Sequence, residues 1–371
     1  MKILFLGGTD FVGRHIAEAA IAAGHDVSFF HRGVTNPSLF PDREHHYGDR
    51  DGDVSVLERV DADIVIDTSG HTPDAVRASA HALAERVRMY YFMSSVNVYD
   101  FASDVLLDEM APTAVLLEGQ TTSERLPELY GAHKMRCEHD LVELLGAERV
   151  LAVRAGLMIG PHDNTDRFTY WPTRLERGGE VLVPLGPQLP VQMIDVRDVA
   201  DWSIRAIAHD LHGPWNLVGT PGTLTLGDVM HACEQVTNVK PTRVCVPSEF
   251  LVSQGVAPWV ELPLWAPDLG ELARFCSVRN DRARAFGLAL RPLAETVRDI
   301  LSEYRVRTKI ARCGPDLRAN ANHSCCVRGT LIHRSHRLST NEISSLWHGE
   351  SSERRSASAA PEPDHFRARG G

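Results

Sequence analysis

Lysine is almost missing from this chain. Of 39 basic residues only Lys2, Lys134, Lys240 and Lys309 are lysines, so arginine serves wherever a generic positive charge will do. Positive charge as a whole is also short. With 49 acidic residues the formal net charge is −10, which argues against nucleic acid as a partner, because phosphate contacts need a basic footprint. No uninterrupted apolar run reaches the roughly 18 residues of a membrane span. The apolar start Met1–Leu6 is too short for a secretory signal and meets a glycine loop at once, which makes the cytoplasm the expected location. Cysteine is sparse, with Cys137, Cys233, Cys245 and Cys276 scattered along the chain. Cys313, His323, Cys325 and Cys326 match no standard ligand spacing, so neither a disulfide framework nor a metal site is expected.

What is present is alternation. Short apolar runs at Lys2–Leu6, Asp26–Phe30, Ile64–Asp67, Tyr90–Ser94 and Val150–Arg154 read as strands. Val12–Ala23, Pro73–Arg86 and Leu129–Leu145 read as helices between them. This order predicts an α/β fold of the Rossmann type, a doubly wound parallel sheet with helices on both faces. Its ligand belongs at the carboxyl ends of the strands. The expected cofactor domain covers 1–160. From Pro161 prolines and glycines break the pattern, and 161–305 reads as a smaller substrate-binding region interleaved with the last strands of the sheet, with helices at Asp198–Ala208, Leu226–Thr237 and Leu293–Tyr304. Residues 306–371 are rich in Ser, Arg, His and Asn with little apolar periodicity, a composition that predicts a disordered tail.

Two motifs carry chemistry. Gly7-Gly8-Thr9-Asp10-Phe11-Val12-Gly13 lies between a strand and a helix, the context a dinucleotide fingerprint requires. The helix start offers free N–H groups and a positive dipole end to a pyrophosphate. The second strand ends in His31-Arg32-Gly33, without the acid that would accept from the adenosine ribose. Arg32 therefore favours NADP over NAD by attracting a 2′-phosphate, and Asp49 is placed near the adenine. Tyr130-Gly131-Ala132-His133-Lys134 sets a phenol and an ammonium four residues apart, on one helix face. A phenol ionises near pH 10 in water, and an adjacent positive charge brings that value down. Lys134 is the one lysine between residues 2 and 240, and a compact ammonium is not interchangeable with a guanidinium fork. Ser95, or Ser94 in its place, follows a strand and can hydrogen-bond a carbonyl oxygen as charge develops.

Together the glycine loop, Ser94–Tyr99 and Tyr130–Lys134 resemble the extended short-chain dehydrogenase/reductase superfamily, of the NAD-dependent epimerase/dehydratase kind. Val153–Pro161 and Val191–Ala200 are similar to its later segments, so the resemblance spans about residues 1–305. It implies Tyr130 as acid/base, Lys134 as activator and ribose ligand, Ser95 as the oxyanion donor, NADP or NAD as cofactor, and a homodimer. The substrate region is expected to offer Asp163, Arg167, Gln192 and Arg197. Two positions depart from the usual pattern: Asp10 replaces the middle glycine of the loop, and Gly156 stands where a proline is commoner. The first departure resembles an atypical branch that includes chloroplast stem-loop RNA-binding proteins, so a non-catalytic NAD(P)-binding or RNA-binding relative is the alternative to an enzyme. A net reductase and a nucleotide-sugar epimerase both fit these residues. A dehydratase fits least, since it wants an acidic pair where this chain has Val96-Asn97.

Overall fold

The computed structural model describes residues 1–312 except 185, 187 and 268. Seven strands form one parallel sheet: β1 (Lys2–Leu6), β2 (Asp26–His31), β3 (Glu44–Tyr47), β4 (Ile64–Asp67), β5 (Met89–Ser95), β6 (Val150–Ala155) and, much later in the chain, Gly213–Leu217. Ile3, Leu4, Phe5 and Leu6 are all buried, as a parallel strand covered on both faces demands. Between β6 and the last sheet strand come β7 (Leu157–Ile159), β8 (Glu180–Pro184), β9 (Pro190–Val191) and β10 (Met193–Asp195). The seventh sheet strand is thus β11, followed by β12 (Leu224–Thr225) and β13 (Thr242–Val246).

Spatial order in the sheet is β11-β6-β5-β4-β1-β2-β3. The order reverses between β1 and β4, so the crevice beyond their carboxyl ends is the switch point where ligands bind in such sheets. Helices α1 (Phe11–Ala22), α2 (Pro73–Leu83) and α3 (Tyr130–Leu145) cover the sheet, α2 against α3, and α1 against α5 (Val196–Ala208), which follows the short α4 (Tyr170–Glu176). Asp10 caps α1, its carboxylate accepting from the Phe11 N–H at 3.1 Å. Proline opens α2, where its missing N–H costs nothing.

The smaller region has its own core. Trp171 and Leu175 of α4 pack with Leu226, Val229 and Met230 of α6 (Leu226–Thr237) and with Val297, Ile300 and Leu301. Helices α7 (Ser248–Ser253), α8 (Leu269–Phe275) and α9 (Asp281–Ala285) precede α10 (Leu293–Arg312), which supplies those last three residues. α10 runs seven residues past the expected boundary at 305. Arg307 on that extension pairs with Asp166 at 2.6 Å, so the helical fold continues where the composition predicts a tail. The rest of that segment, 313–371, including Cys313, His323, Cys325 and Cys326, lies outside the described residues. Among the described residues no helix is long and apolar enough to cross a membrane, and no cluster of three His, Cys, Asp or Glu is placed to hold a metal.

Candidate active site

The loop after β1 wraps a cavity of about 340 Å³ lined by all seven residues Gly7–Gly13. A β-carbon on Gly13 would stand 2.7 Å from the Gly8 Cα, so glycine is what lets α1 start directly against the loop. Phe11, Val12 and Gly13 form the first turn, whose N–H groups have no intrahelical acceptor. Asp10 takes the first of them, and its other carboxylate oxygen accepts from the Asn164 amide at 2.7 Å. Arg32 and Asp49 line the far end of the same cavity. Arg32 is exposed and makes no hydrogen bond or ion pair among the described residues. His31 fixes the turn that carries it, its Nδ1 accepting from the Gly33 N–H at 2.9 Å. These features fit a dinucleotide: N–H donors at a helix start, no side chain filling the cradle, and an exposed cation just after β2.

The Asp10 carboxylate is the exception, because it puts negative charge on the turn that should face a pyrophosphate. Asp10→Asn keeps an oxygen for the helix cap and removes the charge. It should tighten NADH and NADPH alike by about three- to ten-fold, the size of a like-charge contact near a helix end. Fluorescence titration checks this, and an unchanged affinity would place the carboxylate outside the field of the diphosphate.

A second cavity, about 1240 Å³, opens beside the first and is lined by Ser95, Tyr130 and Lys134. Tyr130 is the first residue of α3 and half-buried. Its hydroxyl has no hydrogen-bond partner among the described residues. Gly131 brings this helix start against the turn after β5, for a β-carbon there would lie 2.0 Å from the Asn97 carbonyl oxygen. Lys134 is buried, its ammonium donating to the Gly70 and Met93 carbonyls at 2.6 and 2.8 Å. It stands 5.9 Å from the Tyr130 ring centre and keeps one of its three protons uncommitted. Ser95 caps the following turn by accepting from the Asn97 N–H at 3.2 Å, which leaves its own proton to give.

Ser94 is spent elsewhere. Its hydroxyl donates to Glu138 at 2.5 Å, and Arg154 forks the same carboxylate at 3.1 and 2.8 Å. Arg154 also donates to the Tyr99 hydroxyl, which in turn donates to Asn216 at 2.7 Å. This buried chain ties α3 to β5, β6 and β11 directly behind the Tyr130–Lys134 face. A second buried pair supports the crevice: Arg50 forks Asp67 at 2.6 and 2.8 Å, and the Tyr90 hydroxyl donates to Asp67 at 2.8 Å. Burial alone would raise the Asp67 pKa, but the Arg50 charge and these hydrogen bonds hold it below the ordinary carboxylate value.

Two expected substrate residues do not reach either cavity. Gln192 is buried with its amide donating to the Gly219 and Val278 carbonyls at 2.7 and 2.8 Å. Its polar group is consumed in satisfying buried backbone oxygens. Arg197 is held by Asp195 at 2.8 Å and Asp299 at 2.5 Å, so a structural salt bridge takes the guanidinium. Arg167 does line the large cavity, beside Asp163, whose carboxyl is pushed up by burial.

Motif reading also missed His71, which lines both cavities. Burial first, then the Lys134 and Arg125 charges, push it down to about 4, so it presents a neutral imidazole at neutral pH. A histidine four residues past the end of an apolar strand was its only signal.

Comparison with known proteins names a family. Residues 3–217 match the NAD dependent epimerase/dehydratase family, a span that holds the glycine loop, Ser95, Tyr130 and Lys134. The chain belongs to this family. The UDP-glucose 4-epimerase of Thermus thermophilus, solved with NAD, shares the fold at TM-score 0.57 and 20% identity, over 82% of this chain and 99% of that one. The UDP-glucose 4-epimerase of Thermotoga maritima, solved with UDP-glucose, gives 0.61 at 16% identity, over 83% and 100%. Phenylcoumaran benzylic ether reductase 1 of Arabidopsis thaliana is 35% identical over 82 residues, a match of 19% of this chain and 27% of that protein's length. The two solved structures share the fold, and the family match makes this chain a member of an NAD-dependent epimerase/dehydratase family.

Proposed function

We propose that this protein is an NAD(P)-dependent oxidoreductase that interconverts a carbonyl and a secondary alcohol, with Tyr130 as acid/base. One observation carries the reading: an unpartnered Tyr130 hydroxyl shares a cavity with Ser95 and the Lys134 ammonium, at the mouth of the glycine cradle. Gly7–Gly13 would hold the diphosphate, Arg32 and Asp49 the adenosine end, and the free proton of Lys134 the nicotinamide ribose. When bound, the nicotinamide supplies or accepts the hydride at the substrate carbon. In the reductive direction the Tyr130 phenol gives its proton to the substrate oxygen, and Ser95 donates a hydrogen bond to that oxygen as charge gathers on it. The charge on Lys134 stabilises the phenolate left behind.

NADP is favoured over NAD, because Arg32 is exposed at the ribose end and unpaired there. A cofactor that is consumed and exchanged suits net reduction better than epimerisation, in which one bound cofactor serves both half-reactions. The partial match to a plant reductase points the same way. The test is titration of NADH and NADPH by fluorescence, with Arg32→Ala beside wild type. Arg32→Ala should weaken NADPH by about ten- to a hundred-fold, the worth of a charge-assisted phosphate contact, and leave NADH nearly unchanged. Equal losses for both cofactors would reject Arg32 as the selector.

A further inference from the structure

We propose that the large cavity takes a flat, mainly apolar carbonyl compound rather than a nucleoside diphosphate sugar, an inference that rests on the oxidoreductase reading above. Its outer wall is aromatic. Phe101 and Phe275 meet with ring centres 5.9 Å apart, and Trp259 meets Phe275 edge-on at 6.3 Å. All three line the cavity, and Leu157 and Met158 line it from the end of the sheet. Aromatic faces of this kind favour stacked or edge-on rings in the ligand.

The charges fit a diphosphate poorly. Such a group brings two negative charges and calls for guanidinium forks free to receive them. Three cations line the cavity: Arg125, Lys134 and Arg167. Arg125 pairs with Asp51 at 3.2 Å. Lys134 spends two protons on backbone carbonyls deep at the Tyr130 end. Arg167 alone is both exposed and without an ion pair among the described residues, and it stands beside the buried Asp163, with Glu128 a further acid in the lining. The two polar candidates that could have supplemented them, Gln192 and Arg197, are turned to structural partners. With a volume of about 1240 Å³ there is room for two or three fused rings placed with the carbonyl toward Ser95 and Tyr130.

The experiment loads the full-length protein with NADP⁺, measures that loading by calorimetry, and then titrates in naphthyl methyl ketone and, separately, UDP-glucose. Oxidised cofactor cannot reduce the ketone, so its heat reports binding alone, and the absence of reduced-cofactor fluorescence checks that UDP-glucose is not being oxidised. The ketone should give a saturable heat and UDP-glucose none. Phe275→Ala and Trp259→Leu, each checked for an unchanged melting temperature, should weaken the ketone about ten-fold, and Arg167→Ala should leave it unaltered. UDP-glucose binding that disappears in Arg167→Ala overturns the inference, as does ketone binding that is absent or indifferent to both aromatic substitutions. Failure of NADP⁺ loading would fall on the oxidoreductase reading instead, and the same two titrations on cofactor-free protein would still decide the substrate class.

Discussion

Tyr130→Phe should lower kcat by about a hundred- to ten-thousand-fold on any carbonyl compound the wild type reduces, the range that a positioned acid/base contributes. Affinity for NADPH should stay as it was. The substitution removes one oxygen atom and nothing that packs, because that hydroxyl has no partner among the described residues. No neighbour is placed to take over. The Ser95 hydroxyl can donate a hydrogen bond but is a far weaker acid than a phenol. Lys134 is anchored to two carbonyls beneath the ring, and His71, neutral at neutral pH, lies where the two cavities join. Steady-state turnover beside a fluorescence titration separates the two quantities. Turnover within a few-fold of wild type would remove Tyr130 from the chemistry.

Asp67→Asn should destabilise the fold by about 3–5 kcal/mol, the cost of leaving a buried guanidinium without its counter-charge. Both partners are almost wholly enclosed, the Asp67 side chain at 0% exposure and that of Arg50 at 9%. The asparagine keeps the shape and one acceptor, so what is lost is the charge and the acceptor that Oδ2 offers Arg50 and Tyr90, and denaturant unfolding measures it. The pH dependence has a definite sign. The folded-state pKa of Asp67 lies below its ordinary value of 3.8. The pair's stabilisation is therefore fully present above that value and is lost as pH falls through the folded pKa. Wild type should lose stability steeply below about pH 4 and the variant should lose less. Equal slopes would mean that the pair does not titrate with unfolding.

Much of the architecture was legible in the sequence because it rests on local pattern. Continuous apolar runs such as Ile3–Leu6 specify strands buried on both faces, and the glycine loop marks the first β-to-α turn. Tyr130 and Lys134 were legible because helical spacing alone puts them on one face. The sequence already preferred Ser95, with Ser94 in reserve; in the structure both lie in β5, and what sets them apart is Glu138, forty-four residues from Ser94, which takes the Ser94 proton. Gln192 and Arg197 misled for the same reason, since a polar side chain in a loop-rich region says nothing about which buried oxygen or carboxylate it must satisfy. The charges of Asp67 and Arg154 in otherwise apolar strands were plain in the sequence, though the motif reading drew nothing from them. Their partners Arg50 and Glu138 were not, for pairing across a sheet layer leaves no mark in spacing. The aromatic wall is the extreme case, assembled from Phe101, Trp259 and Phe275 across 174 residues of chain.

The turn after β7 reaches back to the start of α1 at two points. The Asn164 amide donates to Asp10, and the Pro161 carbonyl meets His15 Nε2 at 2.9 Å. These contacts fasten to the start of α1 a turn whose Asp163 and Thr165 line the large cavity, and Asp166 ties the same turn to Arg307 of α10. Loosening this turn would free the Asp10 carboxylate and shift a wall of the large cavity together, so the start of α1 and the substrate region share one moving part.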